Sequence, residues 1–303
     1  MTAASPVSSA APKVQTPLRR FVAEFLGSRV AVFGLVLLVL VVSSALLAPW
    51  IAPQDPYDLS KLDIMSGMLP PGSADPDGNV FWLGSDEQGR DLLSAILYGL
   101  RTSLMVGFSS TAIALAIGLV VGMIAAYAGG STDAAIMRLV DIQLSFPAIL
   151  IALILLAVLG KGVDKVIIAL TAVQWAYYAR TVRSAALVER RKEYVEAAQC
   201  LALPKPRIVL RHLLPNCLPP LIVVATVQVA HAITLEATLS FLGVGVPVTE
   251  PSLGMLIASG FDYMLSGEFW VSVFPGLALL ITIVSINLVG DQMRDVLNPR
   301  LQH

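Results

Sequence analysis

Six long apolar runs, set between clusters of charge, constrain this chain more than any other feature. Residues 30–51, 102–132, 142–160, 166–179, 213–235 and 269–290 are almost free of ionisable groups. A helix needs about 20 mostly apolar residues to cross a bilayer, and most of these runs meet that length. The fourth is short, but it continues as apolar helix past Arg180 and Arg183 to Val188, and arginines near a membrane face can snorkel to the headgroups. Composition agrees: 14% of residues are charged and 56% hydrophobic, against about 25% charged in a soluble domain. The expected fold is an all-α polytopic membrane protein with six transmembrane helices and the lipid bilayer as part of its solvent. The first run reads as a retained anchor rather than a signal peptide, because a long polar leader precedes it and it exceeds a normal signal core.

Lysine and arginine set the orientation. With the N-terminus inside, 15 of the 20 fall in cytoplasmic segments. Both termini are then cytoplasmic, and the expected organisation is a tail over 1–29, a first span over 30–51, an extracytoplasmic subdomain over 52–100, a five-helix core over 101–295 and a tail over 296–303. The subdomain segment carries eight aspartates or glutamates. The net charge of −1 gives no reason to expect nucleic acid.

Catalytic equipment is missing. No GxxxxGK[ST] phosphate loop, HExxH, CxxC or GxSxG occurs, and the three histidines, His212, His231 and His303, are too scattered to build a metal or nucleophile constellation. Cys200 and Cys217 read as two free thiols. The expectation is no enzyme, no metal and no cofactor in this chain, with the energy for work supplied from outside.

Elsewhere the signals are local. Ser85 with Gln88 three residues on fits a capping box, and Arg90 with Asp91 a local pair. Arg138 with Asp141, and Asp291 with Arg294, have the spacing of helix-end ion pairs. Pro147 is expected to kink the third span, and Glu236, the acid nearest a membrane interior, to sit at the outer end of the fifth span within reach of water. Both are candidates for a pathway or gate.

The most informative stretch is cytoplasmic, over 189–216. Tyr194, Val195, Ala198, Leu201 and Ala202 recur at helical spacing, with Lys192, Glu193, Glu196 and Gln199 on the other face. An amphipathic helix is expected to leave the membrane with the fourth span and end near Leu203-Pro204. A second short helix should run from Arg207 to Leu213, stopped by Pro215. Such a helix–turn–helix suits a partner's groove, and it equally suits a solvated helix on lipid headgroups with Lys192 and Glu196 as an i,i+4 pair.

Glu196-Ala197-Ala198 followed by Leu214-Pro215-Asn216 resembles the EAA loop of ABC importer permeases, with Ala202 where that pattern has glycine. FWLGSDEQGRDLLSAILYGLRTSL (81–104), RLVDIQLSFPAIL (138–150), LEATLSFLGVGV (235–246) and NLVGDQMRDVLNPRL (287–301) are similar to signatures of the dipeptide/oligopeptide C-type permease family. The resemblance implies a type I ABC importer permease fold in a bacterial inner membrane. It also implies a peptide substrate, a second permease subunit, two ATPase subunits that bind ATP and Mg, and an extracytoplasmic peptide-binding protein. It assigns coupling to the ATPase to Tyr194, Val195, Glu196, Ala197, Ala198, Ala202 and Pro215. The rival is a secondary transporter, which would need coupling-ion sites and often inverted repeats with broken helices; neither is visible in the sequence.

Overall fold

The computed structural model describes residues 17–57, 64–75, 78–247 and 249–297. The tail segments 1–16 and 298–303 of the sequence reading lie outside the described residues. The rest of the N-terminal segment is not a plain tail. Helix α1, Pro17–Gly27, carries Arg19 and Arg20 on one side and stacks Phe21 on Phe25. Ser28 then caps α2, Arg29–Ile51, by accepting a hydrogen bond from the Ala31 N–H.

The segment expected to form the outer subdomain follows. Its described residues include a 3-10 turn, Ile64–Ser66, and a small hairpin of β1, Ser73–Ala74, and β2, Val80–Phe81, paired antiparallel with Ser73 opposite Phe81. Ser85 does not cap a helix. It is buried, its hydroxyl donates to the Ser66 carbonyl at 2.6 Å, and its oxygen accepts from the Leu69 N–H at 2.7 Å. The cap is Asp91, whose carboxylate accepts from the Ser94 N–H at 2.8 Å and starts α3, Leu92–Ala128. Arg90 pairs with Asp86 at 2.6 Å, not with Asp91, and both members of the pair are 1% exposed. Helix α3 begins ten residues before the expected span because its first turns, through Leu92, Ala95, Ile96 and Leu100, are buried in the outer core.

Helices α4, Gly130–Ser145, and α5, Ala148–Leu159, meet at a bend of 91°. Proline forbids the preceding residue a helical conformation, and Phe146 is extended at φ −93°, ψ 143°. The kink expected at Pro147 is therefore a full break. Alone, the 12 residues of α5 span only about 18 Å, too little for a hydrocarbon core of about 30 Å.

Among the described residues, four helices can cross a membrane by length and apolarity: α2, α3, the run Lys205–Phe241 and Trp270–Leu297; the bent pair makes five if it is one span. Helix α6, Val163–Glu189, has the length but not the composition. It packs against α3 and α5. Gln174, Tyr178 and Ala179 are fully enclosed there by protein, so their polar groups do not face lipid. Gln174, for example, donates to the Gln228 carbonyl at 3.2 Å. The close approach depends on two glycines of α3. A Cβ on Gly118 would lie 2.4 Å from the Tyr178 Cβ, and one on Gly122 2.5 Å from the Ala179 carbonyl oxygen. Small residues four apart let two helix backbones touch.

The expected amphipathic helix is in two pieces. Helix α6 ends at Glu189, and a turn through Arg190–Lys192 separates it from α7, Glu193–Cys200. Pro215 does not stop a second helix. Helix α8, Lys205–Ile208, passes through a π turn, Val209–Leu213, into α9, Leu214–Phe241. Pro215 lies in the first turn of α9, where a missing N–H costs least, and the π turn absorbs the change in hydrogen-bond register. Helix α10, Leu253–Phe261, and α11, Trp270–Leu297, complete the chain.

Many large apolar side chains remain at the surface of the lone chain, among them Val39, Leu40, Ile117, Val120, Ile154 and Val158. Their exposure fits a surface turned to lipid tails or to another subunit, since leaving apolar area in water costs roughly 25 cal/mol per Å².

Candidate functional site

The loop between α6 and α9 holds α7 against the core where these two helices meet. Val195 is 0% and Ala198 4% exposed; they insert into a cluster with Val182, Ile208, Leu213 and Cys217. These two residues of the expected coupling set are thus buried within their own chain, where they seat the helix. The opposite face, Glu193, Glu196, Ala197 and Cys200, is exposed. Leu201 is 74% exposed beside it, although periodicity grouped it with the apolar stripe. Glu193 and Glu196 lie in the first turn of α7, where the helix dipole favours negative charge.

Polar contacts fix the orientation. Lys192 does not pair with Glu196; its ammonium is 2.6 Å from Glu189 Oε1. The Tyr194 hydroxyl donates to Glu189 Oε2 at 2.7 Å and accepts from Asn216 Nδ2 at 3.1 Å. Asn216 Nδ2 also donates to the His212 carbonyl at 2.7 Å. Burial first, and then the bond to and the charge of Glu189, push the Tyr194 phenol up to about 12, so this hydroxyl keeps its proton at every physiological pH. Arg190 donates to the Ala126 carbonyl at 2.9 Å and lies 5.4 Å from the Tyr127 ring centroid, capping the carbonyl end of α3. Thus α7 is tied to α6, α9 and α3 together. Glu189, Arg190 and Asn216 do this tying, and none was an expected site residue. Only Asn216, next to Pro215 in the resembling motif, had a signal in the sequence.

Ala202 ends α7 with φ +55°. The Leu203 N–H bonds the Ala198 carbonyl at 3.2 Å and the Ala202 N–H bonds the Gln199 carbonyl at 2.9 Å. These are the two bonds of a Schellman stop, in which glycine is the usual left-handed residue. Alanine pays the Cβ clash there, about 1 kcal/mol. Ala202→Gly is expected to stabilise the chain by up to about 1 kcal/mol, partly offset by the added freedom of the unfolded chain, and Ala202→Val to destabilise it. Thermal melting of the detergent-solubilised chain checks both signs; a lower midpoint for the glycine variant would contradict the strained-turn account.

At the inner helix ends the ion pairs cross between helices. Arg183 holds Asp133 at 2.6 Å and Arg180 holds Asp141, so Asp141 is engaged away from Arg138. The Arg180–Asp141 pair is exposed, and such exposed pairs contribute little each.

The two pathway candidates separate. Pro147 sits at the break between α4 and α5 with Phe146 60% exposed beside it. Glu236 is not within reach of water. It is 0% exposed, accepting from the Ser103 hydroxyl through Oε2 and from the Ser240 hydroxyl through Oε1, each at 2.8 Å. It joins α3 to α9 and does not line an open surface.

Comparison with known proteins adds the following. Residues 118–303 match the model of the binding-protein-dependent transport system inner membrane component family, and residues 16–71 the N-terminal transmembrane domain of oligopeptide transport permease C. The di/tripeptide transport system permease protein DppC of Pseudomonas aeruginosa is 38% identical, covering 99% of this chain and 97% of that protein. The dipeptide transport system permease protein DppC of Escherichia coli is 39% identical over 96% of each. Among solved structures, a chain of the inward-facing MetNI methionine ABC transporter superposes with a TM-score of 0.56 at 22% identity, covering 67% of this chain and 96% of that one. That likeness is one of fold.

Proposed function

The chain belongs to the binding-protein-dependent transport system inner membrane component family, and from that premise we propose that it is the C-type transmembrane half of an ATP-driven importer of di- and oligopeptides. It is a permease subunit and not an enzyme. The observation that carries the coupling part of this reading is α7: a short helix seated by Val195 and Ala198, with Glu196, Ala197 and Cys200 turned outward. In this reading that face docks into a groove of an ATPase subunit. Tyr194 and Ala202 hold its geometry, and Pro215 starts the span that receives the motion.

The assembly we propose contains a second permease subunit, two ATPase subunits that bind ATP and Mg, and an extracytoplasmic peptide-binding protein. The chain crosses the bacterial inner membrane six times with both termini cytoplasmic. The bent α4–α5 pair forms the third span and α6 the fourth, its polar side chains sheltered by neighbours. The break at Pro147 lies toward the second permease, where it can line the pathway. Closure of the ATPases on ATP would move α7 of each permease as a rigid body and switch the cavity between its two faces.

Uptake of labelled dialanine into proteoliposomes holding the full assembly tests this. Uptake should need ATP inside the compartment that faces the ATPases and should persist with a protonophore present. Uptake driven by a proton gradient without ATP would replace this reading with that of a secondary transporter.

A further inference from the structure

Beside the hairpin of the outer subdomain lies a cavity of about 430 Å³, bordered by Gln54, Asp55, Asp75, Asn79, Trp82 and Asp91. That volume is within the roughly 300–1,000 Å³ of small-ligand sites. Three of these residues are carboxylates, and among the described residues no lysine or arginine lines the cavity.

Asp91 is the informative member. It is 2% exposed, and its Oδ2 is used by the Ser94 N–H and hydroxyl at 2.8 and 2.6 Å. Its Oδ1 is buried with no hydrogen-bond partner among the described residues. A buried acceptor left unpaired costs about 1–3 kcal/mol, so a donor reaching this oxygen would be favoured. Burial raises the Asp91 carboxyl, and a cation beside it would oppose that shift.

The remaining walls fit an organic cation better than a metal ion. Asp75 is oriented by Asn79, which donates its N–H and its amide nitrogen at 2.7 and 2.8 Å. Asp55 is exposed and accepts from the Tyr57 N–H at 3.0 Å. Trp82 is 68% exposed and offers an indole face, the best aromatic partner for a cation. Among the described residues no group of three His, Cys, Asp or Glu is placed to hold a metal ion. The carboxylates border a room rather than converge on a point.

We propose that this cavity binds the free α-ammonium group of a small peptide on the extracytoplasmic side, with Asp91 as the principal anion, Asp55 and Asp75 as the acidic rim and Trp82 as a wall. The identity of the amine rests on the peptide-importer reading; the preference for an ammonium rests on the cavity alone.

The test is calorimetric titration of the full chain in lipid nanodiscs with dialanine, N-acetyl-dialanine and Nα-acetyl-lysine amide. Dialanine should bind, and the acetylated peptide should bind at least about tenfold more weakly, the scale of one lost charged hydrogen bond. Asp91→Asn should weaken dialanine by a similar factor while keeping the cap of α3, because asparagine caps as well as aspartate. Asp55→Asn, at an exposed position, should weaken it without any risk to folding. Equal affinity for the free and acetylated peptides, no binding of dialanine, or unchanged affinity in both variants would overturn the proposal. Binding of the lysine derivative with dialanine silent would overturn the peptide as the source of the amine and assign the cavity to a partner's lysine. Each of these results is independent of ATP-driven uptake, so loss of the site leaves the transport reading standing, and loss of that uptake leaves the ammonium preference standing.

Discussion

Glu196→Lys is expected to abolish transport while leaving the chain folded and inserted. Glu196 is exposed on α7, and the lysine that sequence spacing offered it is held by Glu189. Its removal therefore breaks nothing inside the chain. If α7 docks as proposed, the carboxylate meets a donor on the ATPase, and truncating one member of a desolvated charged pair costs roughly 2–5 kcal/mol. Reversing its charge adds repulsion. ATPase subunits should fail to co-purify with the variant, and dialanine uptake should fall below about a tenth of the unmodified rate, which a loss of 1.4 kcal/mol already gives. Glu193→Ala, on the same exposed face, should have little effect. Wild-type uptake by Glu196→Lys with ATPases bound would move the docking contact elsewhere on α7, to Ala197, Cys200 or Leu201.

Arg90→Ala should unfold the outer subdomain. The Arg90–Asp86 pair is buried on both sides, and Asp86 also accepts from the Gln88 and Arg90 N–H groups at 2.9 Å. Removing the arginine leaves a buried carboxylate without its counter-charge, which costs about 3–5 kcal/mol, a large share of the 5–15 kcal/mol that typically stabilises a domain. Protease added to spheroplasts should cut within residues 52–91 of the variant and spare the unmodified chain. The double variant Asp86→Asn/Arg90→Met should recover part of the resistance, since it removes the orphaned charge together with its partner. Unchanged resistance in Arg90→Ala would show that the pair is not what holds this turn.

The long apolar helices and the short amphipathic helix α7 were largely legible because their signals are local. An apolar run reports lipid directly, and the alternation in 189–216 correctly set Val195 and Ala198 opposite Glu196. What that alternation could not say is which face meets which neighbour. A short helix with one apolar side can bury it in a partner or in its own chain, and here Ile208, Leu213 and Cys217 of the same chain take it. Helix α6 shows the opposite problem. Its apolar run, 166–179, reads as short for a span because Arg180 and Arg183 follow it, and Gln174 and Tyr178 within that run are enclosed by protein, an environment set by Gly118 and Gly122, which lie on another helix more than about 50 residues earlier. Glu236 misled for a similar reason: Ser103, its partner, is 133 residues away. At Ser85 the capping pattern was present, but long-range bonds to Ser66 and Leu69 claimed the hydroxyl, and Asp91 six residues later had the better position to start the helix. Ala202 is the reverse: glycine's absence left the turn open, yet the hydrogen bonds of the stop form around alanine all the same.

Cys200 allows the docking role of α7 to be tested without redesigning the surface. It is exposed, four residues beyond Glu196, while Cys217 is buried, so a photoactivatable maleimide added to inside-out membrane vesicles modifies Cys200 selectively. Irradiation of vesicles that contain the assembled transporter should give a cross-linked product of this chain with an ATPase subunit, and Cys200→Ser should eliminate it. Full labelling of Cys200, equally fast with and without ATPase subunits and with no such product, would contradict α7 as the coupling element.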